Sequence, residues 1–386
     1  MAKDVFLEFP FVSFVVEMGF RSLNRMPRDS REDIEHWVRP EIRALTAYHV
    51  PDPGQCIKLD AMENPYGWPD ELVDAWLERL RGVPLNRYPD PTARRLRDSL
   101  RAAMEVPADM GILLGNGSDE LIQMIAQTVT APGRAILAPE PSFVMYRLIA
   151  QVTGMRFVSV PLGDDFGLDL DAMLEAIERE QPAVVFLAYP NNPTGNLFDA
   201  AAVRRILAAA SGLVIVDEAY AAFAADSFMG TLGSHSNLLV LRTLSKTGLA
   251  GLRLGLLAGP PAWLNEIDKT RLPYNIGVLN QASAEFALEH RSVLDAQTAR
   301  IRADRATLFA ALVALPGLQV YPSEANFILF RTPAGRADTV FAGLRERGVL
   351  IKNLNAVGGA LHDCLRVTVG TPAENAAFLA ALRASL

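Results

Sequence analysis

Thr243-Leu244-Ser245-Lys246-Thr247-Gly248-Leu249-Ala250-Gly251-Leu252-Arg253 joins two apolar runs of the sequence. The run before it, residues 238–241, is typical of a buried strand, and a second apolar run follows at 254–258. Lys246 therefore comes just beyond the end of a strand, beside hydroxyl side chains and seven residues before Arg253. Such a lysine amine can bond covalently to a carbonyl compound, while the hydroxyls and the guanidinium hold a phosphate. The alternative is a surface lysine in a glycine-containing loop.

Apolar strands and helical segments alternate over residues 112–258, which predicts one mostly parallel sheet covered by helices on both faces. The predicted strands lie at 112–114, 135–138, 157–160, 183–188 and 213–216, in addition to the two apolar runs already described. We expect residues 280–315 to be one long helical segment that leads to a smaller α+β domain. The predicted strands of that domain lie at 318–321, 327–330, 349–351 and 365–369.

Polar side chains stand at the ends of several predicted strands, where ligands bind in open α/β sheets. Gly117-Ser118-Asp119 follows one strand and begins a helix, so its N–H groups favour a phosphate, although Ser118 could be a plain helix cap. Asn192 stands between two prolines after another strand. Asp217 ends a third strand and needs a cationic or donor partner there, because a buried carboxylate is costly when unpaired.

Composition and charge exclude several classes of protein. The chain has 386 residues, half of them hydrophobic, and a net charge of −7, which argues against general nucleic-acid binding. Cys56 and Cys364 match no metal or redox spacing, and the five histidines show no ligand spacing, so we expect no metal site. The apolar segment 5–20 is too short and too acidic to span a membrane. We expect a cytoplasmic protein.

The motifs at 191–195, 217–220 and 243–246 together resemble those of the fold-type I, class II aminotransferases, which use pyridoxal 5′-phosphate (PLP). The resemblance covers the chain from about residue 41 to its carboxyl end. Within that family it is most similar to the histidinol-phosphate aminotransferase branch. The supporting motifs are Leu45-Thr46-Ala47-Tyr48, Asn86-Arg87-Tyr88-Pro89, the glycine turn at 115–120, Ala325-Asn326-Phe327 and Leu365-Arg366-Val367-Thr368-Val369-Gly370.

The resemblance implies an α/β fold with a mostly parallel central sheet in a large domain and a smaller α+β domain. We expect residues 85–285 to form the PLP-binding domain and 286–386 the small carboxyl-terminal domain. Residues 31–84 would supply an amino-terminal arm and part of the small domain. Residues 1–30 would be an extension with no role in the chemistry, and we hypothesise that Met26 is the natural start.

The resemblance also implies a role for each cofactor residue. Lys246 would bind PLP covalently and move the proton, Asp217 would pair with the protonated ring nitrogen, and Tyr220 would hydrogen-bond the ring oxygen. These three residues would be the catalytic ones. Asn192 would assist Tyr220, and Phe143 would cover one face of the ring. The phosphate would bind to Gly117, Ser118, Asp119, Thr243, Ser245 and Arg253, and to Tyr88 of a partner subunit in a homodimer.

The same resemblance implies the substrates. Arg366 would bind the carboxylate of glutamate or 2-oxoglutarate in one half-reaction and the phosphate of histidinol phosphate in the other. Its planar, permanently charged guanidinium fits both anions. Tyr48 and Asn326 would shape the site. Lys352 stands where family members often have an arginine, and it can meet a phosphate as a point charge.

Three other functions stay open from the sequence. The first is the same transamination on aromatic amino acids, which share a flat ring and an anion with histidinol phosphate. The second is a PLP-dependent decarboxylase or lyase, since the same cofactor supports other bond cleavages. The third is an aminotransferase-like effector sensor attached to a DNA-binding domain, for which the segment before the resemblance is short and apolar.

Overall fold

The computed structural model describes residues 30–47 and 50–386, in two compact units that divide between Tyr48 and His49. The first unit contains the helices α1 (Ser30–Trp37) and α2 (Pro40–Arg43). Residues 1–29 lie outside the described residues, so the predicted extension and the proposed start at Met26 stay hypotheses. Tyr48, which was predicted to contact the substrate, also lies outside them.

The second unit alternates strands with helices. Its strands are β1 (Ile57–Lys58), β2 (Gly111–Gly115), β3 (Ala135–Glu140), β4 (Arg156–Pro161), β5 (Val184–Ala188), β6 (Leu213–Asp217), β7 (Leu238–Thr243), β8 (Gly255–Gly259), β9 (Gln319–Val320), β10 (Phe327–Arg331), β11 (Val349–Leu350), β12 (Lys352–Asn353) and β13 (Cys364–Thr368). Its helices are α3 (Asp70–Arg81), α4 (Arg94–Met104), α5 (Ser118–Val129), α6 (Met145–Thr153), α7 (Leu170–Glu180), α8 (Ala200–Ala209), α9 (Pro261–Asp268), α10 (Val278–Glu289), α11 (Arg291–Val313), α12 (Ala337–Glu346) and α13 (Pro372–Arg383).

The predicted central sheet is confirmed. It has seven strands in the order β2-β8-β7-β6-β5-β3-β4. The strands β3 to β7 pair in parallel, whereas β8 is antiparallel to both of its neighbours. The reversal at β8 has a simple cause. Only residues 244–254 connect β7 to β8, and a connection this short without a crossover helix cannot return the chain to a parallel start.

Alternate residues of the central strands pack into different apolar clusters, one on each face of the sheet. In β5, Val185 and Leu187 belong to one cluster, whereas Val184 and Phe186 belong to the other. Every residue of β5 is buried, as is every residue of β6 and β8. This burial on both faces explains why these strands read as continuous apolar runs rather than as an alternating pattern.

The segment after residue 318 forms a second, antiparallel sheet in the order β12-β13-β10-β9. The predicted strand at 349–351 is wrong in one respect, because the structure divides this region into two short strands. β11 pairs in parallel with β1, and β12 pairs with β13. A third apolar cluster contains Leu59, next to β1, together with residues of β10 and α13. The contribution of residues 31–84 to the small domain and the domain boundaries stay predictions.

The long helical segment predicted at 280–315 is also wrong in part, because two helices, α10 and α11, meet there at His290. The backbone of His290, with φ of −111° and ψ of 27°, departs from helical geometry. Its Nδ1 atom lies 2.9 Å from the carbonyl oxygen of Phe286. No glycine or proline marks this break, which is why the apolar pattern did not reveal it.

Within residues 30–47 and 50–386, no helix has both the length and the apolarity that crossing a bilayer requires. The same ranges contain no group of three or more histidine, cysteine, aspartate or glutamate side chains arranged to hold a metal ion.

Candidate active site

The carboxyl ends of the parallel strands β5, β6 and β7 meet at one edge of the large sheet. Asn192 follows β5, Asp217 is the last residue of β6, and Thr243 is the last residue of β7. A cavity opens at this edge, and most of the predicted cofactor residues line it. Its wall contains Met62, Ser118, Asp119, Phe143, Asn192, Asp217, Tyr220, Thr243, Ser245, Lys246 and Arg253.

Lys246 lies in a short 3₁₀ turn directly after β7, and its amine is surrounded by protein atoms. The Nζ atom donates to the carbonyl oxygen of Ala61 at 3.5 Å and lies 5.6 Å from the centre of the Tyr220 ring. Burial, assisted by the positive charge of Arg366, lowers the pKa of the Lys246 amine to about 8. A substantial fraction of this amine is therefore neutral near physiological pH, as a nucleophile requires.

Asp217 is buried, and both of its carboxylate oxygens accept hydrogen bonds. The hydroxyl of Tyr146 donates to Oδ2 at 2.7 Å, and the backbone N–H of Ala219 donates to Oδ1 at 3.1 Å. Burial raises the pKa of the Asp217 carboxyl to about 6, although both hydrogen bonds oppose this shift. The carboxylate is thus held in a fixed orientation, in an environment that favours a positively charged partner.

Tyr146 is a residue that the sequence analysis missed. It lies on α6, fully buried, and its ring stacks on Phe186 with the centroids 4.6 Å apart. Burial and the neighbouring Asp217 charge raise the pKa of its hydroxyl well above the ordinary value, so it stays a donor. The available signal was a tyrosine in the apolar pattern of a helix, since a buried tyrosine hydroxyl usually finds a hydrogen-bond partner.

One corner of the cavity gathers the donors that a phosphate needs. Gly117 has φ of +91°, and a Cβ atom there would lie 2.6 Å from Arg253 Nη2. The glycine therefore lets the amino end of α5 approach the guanidinium closely. Arg253 Nη1 donates to the Ser245 hydroxyl at 3.4 Å, and the Thr243 and Ser245 hydroxyls lie 2.9 Å apart. Helix N–H groups, a guanidinium and hydroxyls together suit a dianion.

Arg366, on β13, is held by residues from two other parts of the chain. Its Nη1 atom donates to the side-chain oxygen of Asn192, and its Nη2 atom donates to the carbonyl oxygen of Asp60 at 2.9 Å. Lys352 is the direct partner of Arg366 in the antiparallel β12–β13 ladder. Directly opposed residues share one face of a sheet, and two like charges there are destabilising. An anion bound between them would relieve that repulsion.

The structure does not bring every predicted residue to the cavity wall. Asn326 is buried, and its amide donates to the carbonyl oxygen of Met62 at 2.9 Å. Lys352 and Arg366 lie on the small sheet. Tyr88 is 79% exposed and stacks on Tyr274, with the ring centroids 4.3 Å apart. The roles predicted for these residues stay predictions.

The model of a known protein family, Aminotransferase class I and II, matches residues 54–382, which include every residue of the cavity wall. The chain belongs to the class I and II aminotransferase family. It is 59% identical over 355 residues to histidinol-phosphate aminotransferase 2 of Nitrosococcus oceani, covering 92% of this chain and 99% of that protein. It is 54% identical to histidinol-phosphate aminotransferase of Chromobacterium violaceum, covering 91% of this chain and 98% of that protein.

A solved structure of the same family has a similar fold. The crystal structure of histidinol-phosphate aminotransferase from Sinorhizobium meliloti in complex with pyridoxal 5′-phosphate superimposes with a TM-score of 0.80 and 26% identity. The alignment covers 94% of this chain and 99% of that one. The aminotransferase family uses PLP, and the residues of this cavity fit that cofactor. The cavity offers an amine, a carboxylate for a ring nitrogen and a corner of phosphate donors.

The raised pKa of Asp217 makes a prediction about stability as well as activity. The unfolded carboxyl ionises near 3.8 and the folded one at about 6, so the cofactor-free protein loses stability as pH rises between these values. Asp217→Asn removes this loss. Above pH 6 we expect the free energy of unfolding of the variant to exceed that of wild type by about 3 kcal/mol, and below pH 4 we expect little difference.

The same substitution should reduce transamination at least about a hundredfold, because the bound ring would lose its charged partner. Urea denaturation of the cofactor-free proteins across pH 4–8 and steady-state rates of the PLP-loaded proteins measure the two effects. The pH series is the internal control, since both proteins are uncharged at position 217 in acid. A stability difference that does not change with pH would contradict the assignment.

Proposed function

We propose that this aminotransferase transfers the amino group of L-histidinol phosphate to 2-oxoglutarate, giving imidazole acetol phosphate and L-glutamate in L-histidine biosynthesis. The observation that carries the proposal is identity of 54–59% over more than nine-tenths of the chain to relatives named for this reaction. The fold and the cofactor residues support transamination in general. The substrate rests on the relatives and on the two cations of the small sheet.

We assign the acid–base work to the chain's own groups. Bound PLP supplies an electron sink that stabilises negative charge at the substrate Cα. The Lys246 amine, with a pKa of about 8, holds the cofactor and then takes the Cα proton or returns it. Asp217 keeps the ring nitrogen protonated, and Tyr146 keeps the Asp217 carboxylate oriented. Tyr220 and Asn192 donate to the ring oxygen, and Phe143 limits the ring's movement on one face.

We propose that the phosphate of PLP binds at the corner where Arg253 meets the amino end of α5. The proposed donors are the guanidinium, the Thr243 and Ser245 hydroxyls, and the helix N–H groups of residues 117–119. No acidic group other than Asp119 lines this part of the cavity within the described ranges, and Arg253 lies 3.5 Å from its carboxylate. A bound phosphate would compete for that guanidinium.

The substrate's anionic groups bind, in this proposal, to Arg366 and Lys352. The Arg366 guanidinium donates two parallel hydrogen bonds to the carboxylate of glutamate or 2-oxoglutarate. When histidinol phosphate replaces glutamate, the phosphate carries more charge than a carboxylate and is larger. Lys352, opposite Arg366 in the sheet, adds a second cation for it. This arrangement favours phosphate-bearing substrates over aromatic amino acids.

We also propose a homodimer in the cytoplasm. The apolar side chains of Leu85, Tyr88 and Leu272 are 71%, 79% and 72% exposed, and Tyr88 stacks on Tyr274. Leu85 and Leu272 lie within three residues of these rings along the chain. Large exposed side chains that cluster in this way are typical of an interface. In the dimer, Tyr88 would reach the phosphate of the partner's cofactor.

The proposed cytoplasmic location rests on the cysteines. Both cysteines are free thiols, which fits a reducing compartment.

A spectroscopic half-reaction tests the proposed substrate. Histidinol phosphate added to the PLP-loaded protein, with no keto acid, should convert the visible cofactor band to that of the pyridoxamine form. 2-Oxoglutarate should then restore the band. Lys246→Ala should abolish the conversion. A band that responds to phenylalanine or tyrosine but not to histidinol phosphate would support the aromatic alternative. Release of carbon dioxide from an amino acid substrate would support a decarboxylase.

Lys352→Ala tests the phosphate assignment. The lost charge should raise KM for histidinol phosphate about tenfold while changing KM for glutamate less than about twofold. Lys352→Arg should retain the preference. Lys269→Ala is the matched control, since Lys269 directly follows α9 and pairs with the exposed Glu266 of that helix. Equal increases in KM for the two substrates would argue against a phosphate role.

Leu272→Asp tests the dimer surface. Wild-type protein should sediment at twice the mass of one chain, and the charged variant should raise the dimer dissociation constant at least about tenfold. Val357→Asp places the same charge at another exposed apolar side chain, 67% exposed, and should leave the dimer intact. A monomeric wild type, or equal effects of the two variants, would contradict the proposed interface.

A further inference from the structure

Three consecutive backbone carbonyls face donors of the active site, and we call residues 59–62 the carbonyl strap. The oxygen of Asp60 accepts from Arg366 Nη2 at 2.9 Å, and that of Ala61 accepts from Lys246 Nζ at 3.5 Å. The oxygen of Met62 accepts from the Asn326 amide at 2.9 Å. The strap thus contacts side chains from the large sheet's edge and from the small sheet.

Thr368 fixes the strap at both of its ends. The backbone N–H of Thr368 donates to the carbonyl oxygen of Leu59 at 2.8 Å. Its hydroxyl oxygen accepts from the backbone N–H of Met62 at 2.9 Å. Met62 has φ of +55°, a left-handed conformation that is unfavourable for a residue with a side chain. Such a conformation persists where surrounding contacts stabilise it. Here the hydrogen bonds made by the backbone N–H and by the carbonyl oxygen of Met62 do so.

The position of Thr368 links the strap to the anion site. Thr368 follows Arg366 by two residues on β13, so both side chains project from the same face of the small sheet. Thr368 is 3% exposed. The Arg366 guanidinium is consequently fixed between Asn192, which follows the large sheet's β5, and the Asp60 carbonyl, whose place depends on Thr368. A guanidinium binds an anion through two parallel hydrogen bonds only when two of its N–H groups point toward the anion.

We propose that Thr368 is a positioning residue for substrate binding: its hydroxyl holds the carbonyl strap, and the strap orients the Arg366 guanidinium toward the substrate's anionic group. The proposal rests on the aminotransferase function proposed above. Thr368 does not line the cavity that contains Lys246, so its effect should appear in substrate binding rather than in the proton transfer at Lys246. The covalent bond of Lys246 to PLP would release the Ala61 carbonyl but leave the Asp60 and Met62 contacts in place.

Thr368→Val removes the hydroxyl and keeps the side-chain volume. In the PLP-loaded enzyme we expect KM for 2-oxoglutarate and for the amino donor to rise about fivefold, with kcat changed less than about twofold. PLP affinity and the visible cofactor band should stay as in wild type. Thr368→Ser keeps the acceptor and should restore KM. If the valine variant is insoluble, Thr368→Ala tests the same loss of the acceptor.

Thr332→Val is the matched control. Thr332 directly follows β10 of the same sheet, is also 3% exposed, and its hydroxyl donates to the carbonyl oxygen of Asp363. This variant should lose stability without a change in KM. A wild-type KM in Thr368→Val, a KM rise that Thr368→Ser does not reverse, or an equal rise in Thr332→Val would overturn the proposal. If wild type reacts only with aromatic donors, the proposed substrate fails, whereas KM for 2-oxoglutarate still tests Thr368.

Discussion

The buried carboxylate of Asp217 at the end of β6 is the constraint on which the active site depends. An ionised carboxylate inside a sheet protein is unfavourable unless donors surround it. Here Tyr146 and the N–H of Ala219 supply them, one to each oxygen. These donors fix the direction of the negative charge before any cofactor binds. The aromatic packing of Tyr146 on Phe186 serves this purpose as much as it serves the core.

Two cations of the site, Lys246 and Arg366, are oriented by neutral acceptors. Lys246 donates to a backbone carbonyl of the strap, and Arg366 donates to another carbonyl and to an amide side chain. Neutral acceptors orient a cation without cancelling its charge, so the attraction for an incoming anion is retained. Two cations placed close together also lower the pKa of the lysine, as burial does. Structural support and reactivity thus come from the same contacts.

The sequence predicted the features that depend on local patterns. The continuous apolar runs predicted the buried strands, and the polar residues after them predicted the edge where Asn192, Asp217 and Lys246 meet. What depends on distant contacts was not predictable from one sequence. Tyr146 has the pattern of an ordinary residue in an apolar helix, and the sequence does not show that its hydroxyl contacts Asp217. Met62 is a residue type that rarely adopts the left-handed conformation, and here contacts with distant residues impose it. The break at His290 has no glycine or proline, and the division between β11 and β12 depends on pairing with β1.

The short antiparallel return from β7 to β8 has a consequence for how this protein can diverge. Thr243 and Gly255 are ladder partners, so both ends of the intervening loop are anchored in adjacent strands. Any inserted residue must therefore be accommodated within the loop itself, close to the lysine and the arginine that it carries. An insertion there would disturb the placement of both groups, so the length of this loop is constrained by their function. Changes of length are better tolerated in surface connections elsewhere, where no paired strands fix both ends.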